Sequence, residues 1–242
     1  EGNACDGFID RIVDDMIDKA DEIDYCLVGE PTSNEKLGDS IRVGRRGSLS
    51  GELRVKGKQG HIAYPENVKN PIFLSSDLIV KLKNKVWDNG NAIFQPTSFQ
   101  ISNIASGTGA KNVVPGHLDM VFNFRFSTES TESSLRDEFE SILQSLDLNY
   151  DIDWYLSGLP YLTTDSTLKD IVVNSIKKET GIDADKNAKG GTSDGRFIAK
   201  MNTEIIELGP LNKTIHQIDE CVSVKDLETL KAIYLGVLKE LN

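Results

Sequence analysis

Leu118, Met120, Phe122, Phe124 and Phe126 alternate without a break, and no other stretch of the chain limits the fold so tightly. A period of two reads as a β-strand with one buried face. The surrounding sequence extends the pattern. Ser48–Lys56 alternates, with Leu49, Gly51, Leu53 and Val55 on one face. Pro71–Val86 carries Phe73, Leu74, Leu78, Ile79, Leu82 and Val86 at helical spacing, with proline in the first turn. Thr97–Ile104 alternates again. Ser130–Leu146 repeats Leu135, Phe139, Ile142, Leu143 and Leu146 as a helix would, and Tyr150, Ile152, Trp154 and Leu156 close as a strand. The order β-α-β-β-α-β is the split βαβ, or ferredoxin-like, pattern. It occupies residues 47–160.

The flanks read as helix and strand. Residues 6–22 place Phe8, Ile9, Ile12, Val13, Met16 and Ile17 at helical spacing, with Asp6 as the expected N-cap. Asp24–Glu30 reads as a buried strand ending in a Gly-Glu-Pro loop. A helix is expected near 165–180, stopped by Gly181. Glu204–Leu208 reads as an apolar strand. A final helix carries Leu227, Leu230, Ile233, Tyr234, Val237, Leu238 and Leu241, with Ser223 as N-cap and Asp226 completing a capping box. Neither flank makes a domain alone. The expected fold class is α/β: a discontinuous domain (1–46 with 161–242) carrying an inserted ferredoxin-like βαββαβ domain (47–160).

The chain of 242 residues has 27 Lys and Arg against 38 Asp and Glu, a net charge of −11. Such a field repels phosphates, which argues against a nucleic-acid or membrane-surface binder. No apolar run approaches the roughly 20 residues that span a bilayer. Cys5, Cys26 and Cys221 are odd in number and far apart, which reads as reduced thiols of a cytoplasmic protein. The first residue is Glu1, and the opening segment lacks the features of a signal peptide. We therefore expect a fragment or processed product.

Candidate chemistry lies in loops and strand ends. Glu30 follows a strand, where a carboxylate is well placed as a ligand, and His216 follows the Gly209-Pro210 turn. His117-Leu118-Asp119 spells a common metal motif, but both polar side chains fall on the outward face of the phenylalanine strand. Arg45 and Arg46 lie between Gly44 and Gly47, and Arg125 sits on the polar face of its strand. Arginine suits capture of carboxylates. Gly190–Arg196 has the look of an anion nest but is not a Walker loop. His61 and Tyr64 lie in a glycine-bounded loop.

Eight motifs in order give a resemblance: EG at 1–2, VGEPTS at 28–33, GRRGSLSG at 44–51, GHIAYP at 60–65, KNVVPG at 111–116, FNFRFS at 122–127, GGTSDGRF at 190–197 and IHQIDE at 215–220. Together they resemble the dinuclear-zinc aminoacylase and carboxypeptidase superfamily, and within it the succinyl-diaminopimelate desuccinylases. The resemblance implies a zinc-exopeptidase-like α/β domain with an inserted dimerisation domain. It also implies hydrolysis of the succinyl amide of N-succinyl-LL-2,6-diaminoheptanedioate in lysine and diaminopimelate biosynthesis. The cofactors implied are two Zn or Co ions. Glu1, Glu30 and His216 match metal ligands. His61 matches a histidine that reaches the partner subunit's site and holds the amide oxyanion. Arg45, Ser48, Tyr64, Asn112, Arg125, Gly191 and Thr192 match substrate contacts, which would gather positive charge for a dicarboxylic amide substrate.

A homodimer is implied through the inserted domain, by the 71–86 helix and Asn103–Gly109. The family's His-x-Asp metal motif and its general-base glutamate have no counterpart in this sequence. We therefore expect an N-terminally incomplete catalytic domain that binds zinc poorly and is silent by itself. Two other readings fit the same residues: a sister deacylase such as acetylornithine deacetylase or a dipeptidase, and a non-catalytic dimerisation or binding fragment.

Overall fold

The computed structural model describes residues 8–19, 22–164 and 166–242. Glu1, Cys5 and Asp6 lie outside the described residues. The chain divides into two compact units. One is Gly47–Leu159; the other combines the segments on either side, ending at Arg46 and resuming at Pro160.

The first unit contains β4 (Gly47–Lys56), β5 (Gly60–His61), α2 (Pro71–Asn84), β6 (Ser98–Ser106), β7 (Val113–Val114), β8 (His117–Phe126), α3 (Glu132–Ser145) and β9 (Tyr150–Gly158). Its sheet runs β6-β8-β4-β9, every neighbour antiparallel. That is the ferredoxin-like order, with the first and third long strands in the middle. The alternating residues behave as their period demands. Leu118, Met120, Phe122, Phe124 and Phe126 are buried with Leu49, Leu53 and Val55, under Leu78 and Leu82 of α2 and Leu135, Phe139 and Leu143 of α3. Phe122 stacks on Phe139 at 4.5 Å and meets Trp154 edge-on at 5.4 Å.

Two glycines make room for this. Gly47 lies opposite Phe126 and Gly51 opposite Phe122. A Cβ on either would stand 2.3 Å from the facing ring. The large ring and the missing side chain fill one volume between them.

β6 contains a bulge. Ile101 pairs with Phe122, yet Asn103 pairs with the next residue, Val121. Ser102 is the extra residue, and its hydroxyl donates to the Val121 carbonyl at 3.2 Å. The bulge changes which residues share the face of Met120 and Phe122: Phe99 and Ile101 before it, and Ile104, half exposed, after it. Unbroken alternation over Thr97–Ile104, expected from sequence, would have put Asn103 there instead. The helices also end differently from expectation. α2 stops at Asn84 because Lys85 is extended, which leaves Val86 outside it. Phe73 is 74% exposed, so it belongs to the helix but not to the core.

Asp88 ties the loop after α2 to the sheet. Its carboxylate accepts from the amides of Gly90 and Thr97 and from the hydroxyls of Thr97, Ser127 and Ser130. Burial alone would raise its pKa; the donors from Ser130, Thr97 and Gly90 outweigh burial and lower it to about 2.

The second unit contains α1 (Ile9–Asp18), β1 (Tyr25–Val28), β2 (Ser40–Arg42), β3 (Gly44–Arg45), β10 (Tyr161–Leu162), α4 (Thr167–Thr180), β11 (Asp185–Asn187), α5 (Gly195–Ile198), β12 (Glu204–Glu207) and α6 (Val224–Leu241). The sheet runs β1-β12-β2-β11. β1 and β12 are parallel, with Val28 beside Glu207. β3 pairs with β10, Arg45 opposite Tyr161. β1 is half-buried where a buried strand was expected; among the described residues it is an outer strand of this sheet. α4 starts on the Ser166 cap and stops at left-handed Gly181. α6 starts on the Ser223 cap, but only Leu230, Ile233 and Val237 are buried. Its seam is narrow because α4 comes close: Ser175 donates to the Ile233 carbonyl, and a Cβ on Gly236 would lie 2.4 Å from that hydroxyl.

Two measurements test this account. Gly51→Ala forces the Phe122 ring off its position and should destabilise the Gly47–Leu159 unit by about 1–3 kcal/mol, read by chemical denaturation. Because the Asp88 pKa falls on folding, its contribution is complete above the ordinary carboxylate pKa of 3.8 and disappears as pH drops towards 2. Asp88→Asn should remove that part of the acid sensitivity; an unchanged acid-unfolding curve would refute the role.

Candidate functional site

In the unit built from the flanks, the chain leaves β1 through Gly29 and Glu30 and leaves β12 through Leu208 and Gly209. The two exits lie side by side. The Leu208 amide donates to the Val28 carbonyl, and the Ser33 hydroxyl donates to the Gly209 carbonyl at 2.8 Å. Only glycine fits at 209, since a Cβ would stand 2.2 Å from the Glu30 carbonyl oxygen. This packing sets Glu30, half-buried, at the end of the parallel pair. Burial pushes its carboxyl above the usual range; Arg45 opposes that, Glu207 and Asp194 add to it, and His216 opposes it. His216 is exposed and has φ of 59°, a left-handed conformation that costs a residue with a Cβ.

The best-organised polar group of this unit is Glu207, at the end of β12 and fully buried. One carboxylate oxygen accepts from Arg45 Nε at 2.9 Å and from Arg45 Nη2. The other accepts from the Tyr161 hydroxyl at 2.5 Å and from the Ser193 hydroxyl. The buried charge is thereby paired and fully hydrogen-bonded. Burial first, then the adjacent Glu207 charge, push the Tyr161 phenol far above its ordinary range, so it remains a donor. Arg45 Nη1 donates to the carbonyls of Lys189 and Gly191 at 3.2 and 3.1 Å. Four of the five guanidinium N–H groups are therefore spent inside the protein. Arg45 is buried, whereas Gly191 is exposed and Thr192 half-buried.

In the Gly47–Leu159 unit, β5 and β7 pair His61 with Val113. The Ala63 amide donates to His61 Nδ1 at 3.1 Å. A neutral ring that accepts at Nδ1 carries its proton on Nε2. Nε2 lies 3.4 Å from Asn112 Nδ2, a donor facing a donor in this tautomer and so a contact without a hydrogen bond; the Asn112 backbone carbonyl accepts from the Ile62 amide. Tyr64 is exposed, its ring centroid 5.8 Å from that of His61. Ser48 is buried and accepts from Asn123 at 3.1 Å. Arg125 is half-buried and stands opposite Ser48 on the polar face of the sheet. On the same face His117 and Asp119 are solvent-accessible, and Asp119 accepts from Arg54 at 2.6 and 3.0 Å.

Among the described residues no group of three or more His, Cys, Asp and Glu side chains could hold a metal ion. Glu30 and His216 are suitable donors but do not complete a site. Glu1 lies outside the described residues. The sequence reading passed over Glu207, Tyr161 and Ser193. The available signal was a second glutamate after two isoleucines in the short segment Glu204–Leu208.

A family model described as a peptidase dimerisation domain matches residues 43–151. Among curated proteins, the succinyl-diaminopimelate desuccinylase of Hydrogenovibrio crunogenus is 54% identical over 98% of this chain and 63% of its own length. That of Polaromonas naphthalenivorans is 52% identical over 100% of this chain and 59% of its own length. The chain thus spans about three-fifths of the relatives it matches. Among solved structures, an M20 family metallo-carboxypeptidase from Sulfolobus solfataricus matches with a TM-score of 0.78 at 15% identity, over 96% of this chain and 66% of that one. Aminopeptidase PepT from Bacillus cereus matches at 0.73 with 19% identity, over 89% of this chain and 57% of that one. These two likenesses concern the fold, which is that of M20 peptidases. Along its whole length the chain is similar, at 52–54% identity, to curated succinyl-diaminopimelate desuccinylases, and residues 43–151 match a peptidase dimerisation domain.

Proposed function

We propose that the protein to which this chain belongs hydrolyses the succinyl amide of N-succinyl-LL-2,6-diaminoheptanedioate. Water adds across the amide, and succinate and LL-diaminopimelate leave; the reaction serves diaminopimelate and lysine biosynthesis. The observation that carries this reading is the 52–54% identity to curated desuccinylases over essentially the whole chain.

The geometry of His61 supports its proposed role. With Nδ1 occupied by the Ala63 amide, Nε2–H is the donor the ring presents, as an amide oxyanion requires. Tyr64, Asn112, Ser48 and Arg125 are proposed as substrate contacts from the same unit, and Gly191 and Thr192 from the other. Arg45, whose charge Glu207 already balances, would contribute its one remaining N–H. We assign Glu1, Glu30 and His216 to a two-metal centre, zinc or cobalt, of the complete enzyme. The described residues do not complete that centre, and the 242-residue polypeptide by itself should bind zinc below stoichiometry and turn over no substrate.

We further propose a homodimer formed through the Gly47–Leu159 unit, which would deliver His61 to the partner's site. β6 is an outer strand of its sheet, and Ile104 near its end is 50% exposed. On α2, Phe73 is 74% and Val80 57% exposed. Apolar side chains left open on an edge strand and its neighbouring helix suit pairing with a second copy.

Kinetics on the complete enzyme decide the substrate. The succinyl amide should be preferred over N-acetylornithine, and the reverse preference would support a sister deacylase. His61→Ala should lower kcat about 100-fold, as loss of an oxyanion donor does. Phe73→Asp with Ile104→Asp should give a monomer by analytical ultracentrifugation; an unchanged dimer would place the interface elsewhere.

A further inference from the structure

We propose that Glu207, which on this reading touches no substrate, is the positioning residue of the 189–193 loop. The argument rests on the proposed role of Gly191 and Thr192 as substrate contacts.

Glu207 reaches the loop by two routes. One is direct, through the Ser193 hydroxyl. The other passes through Arg45, whose Nη1 holds the carbonyls of Lys189 and Gly191. Arg45 is itself oriented by Glu207, which engages both Nε and Nη2. Tyr161, paired with Arg45 across β3 and β10, supplies the fourth donor to the carboxylate. The four donors hold the carboxylate, and the carboxylate holds the guanidinium plane.

The consequence for the loop follows from peptide planarity. In a trans peptide the carbonyl of one residue and the N–H of the next point in opposite directions. With the carbonyls of Lys189 and Gly191 turned onto Arg45, the N–H groups of Gly190 and Thr192 are turned away from it. Gly190 lies at φ of 97°, which only glycine adopts easily, and a Cβ there would stand 2.9 Å from Arg45 Nη1. Two N–H groups set in this way suit a carboxylate, and a dicarboxylic amide offers one. A buried carboxylate thus aims backbone donors at a second carboxylate, with Arg45 between them as a strut.

Tyr161→Phe and Ser193→Ala each remove one hydroxyl from the network while leaving the Arg45–Glu207 pair and the proposed contacts intact. In the complete enzyme, hydrogen exchange at the Lys189 amide of this loop, which donates to Asn187 Oδ1 at 3.0 Å, should quicken about tenfold in each variant, the worth of one hydrogen bond to a charged group. Exchange in β12 should not change. With N-succinyl-LL-diaminopimelate as the probe, KM should rise about tenfold while kcat stays within about threefold. Ser193→Thr, which keeps the hydroxyl, should restore both. A lowered Tm with unchanged loop exchange and unchanged KM would overturn the proposal, because a merely structural network behaves that way. The exchange readout needs no substrate. If the unmodified enzyme failed to cleave the succinyl amide, the functional reading would fall, and loop exchange would still decide the positioning role.

Discussion

A carboxylate removed from water must be met by donors and by an opposite charge, and in the unit built from the flanking segments Glu207 sets those terms. It lies at the end of β12, and the groups that meet it come from β3, from β10 and from the loop before α5. Removing any one partner would leave the buried carboxylate a donor short, so the four segments are constrained together. The arrangement also explains why an arginine that follows a glycine is buried in an acidic protein. Gly44 lies so close to the Tyr161 carbonyl that a Cβ would stand 2.4 Å from it, and only that approach lets β3 carry Arg45 beneath β10.

The Gly47–Leu159 unit obeys a different constraint, one of volume. Its core consists of rings whose places are reserved by glycines on the facing strand, and the helices cover what remains. Its candidate site residues are held by short-range contacts. His61 is oriented at Nδ1 by the amide two residues on. A histidine fixed in this way needs no buried carboxylate to define its tautomer.

These two kinds of constraint explain what could be read from sequence. The strand at Leu118–Phe126 and the helices around Leu78 and Phe139 were legible because their periods are local properties of the backbone. β2, β3, β10 and β11 were not, because strands of two or three residues have no period of their own. They are defined by pairing with distant partners, as Tyr161 is by Arg45. Glu207 was missed for the same reason: 162 residues separate it from the arginine that neutralises it, and no window on the sequence contains both. For Arg45 a sequence shows that an arginine is present but not how many of its donors are already taken. The motif residues His61, Asn112, Gly191 and Thr192 entered through likeness to a family, which carries information about function that hydrophobic periodicity does not.

The bulge in β6 has a consequence for chain length. Ile101 and Asn103 pair with consecutive residues of β8, so Ser102 is surplus to the ladder. A relative one residue shorter at this point would present the same side chains to the same partners. What would change is the bend that a bulge gives its strand. If a second copy adds its own edge strand here, insertions and deletions at this position would tune the angle between two protomers while leaving each protomer's core untouched. Quaternary geometry could then drift among relatives through single-residue length changes that no comparison of core residues would register.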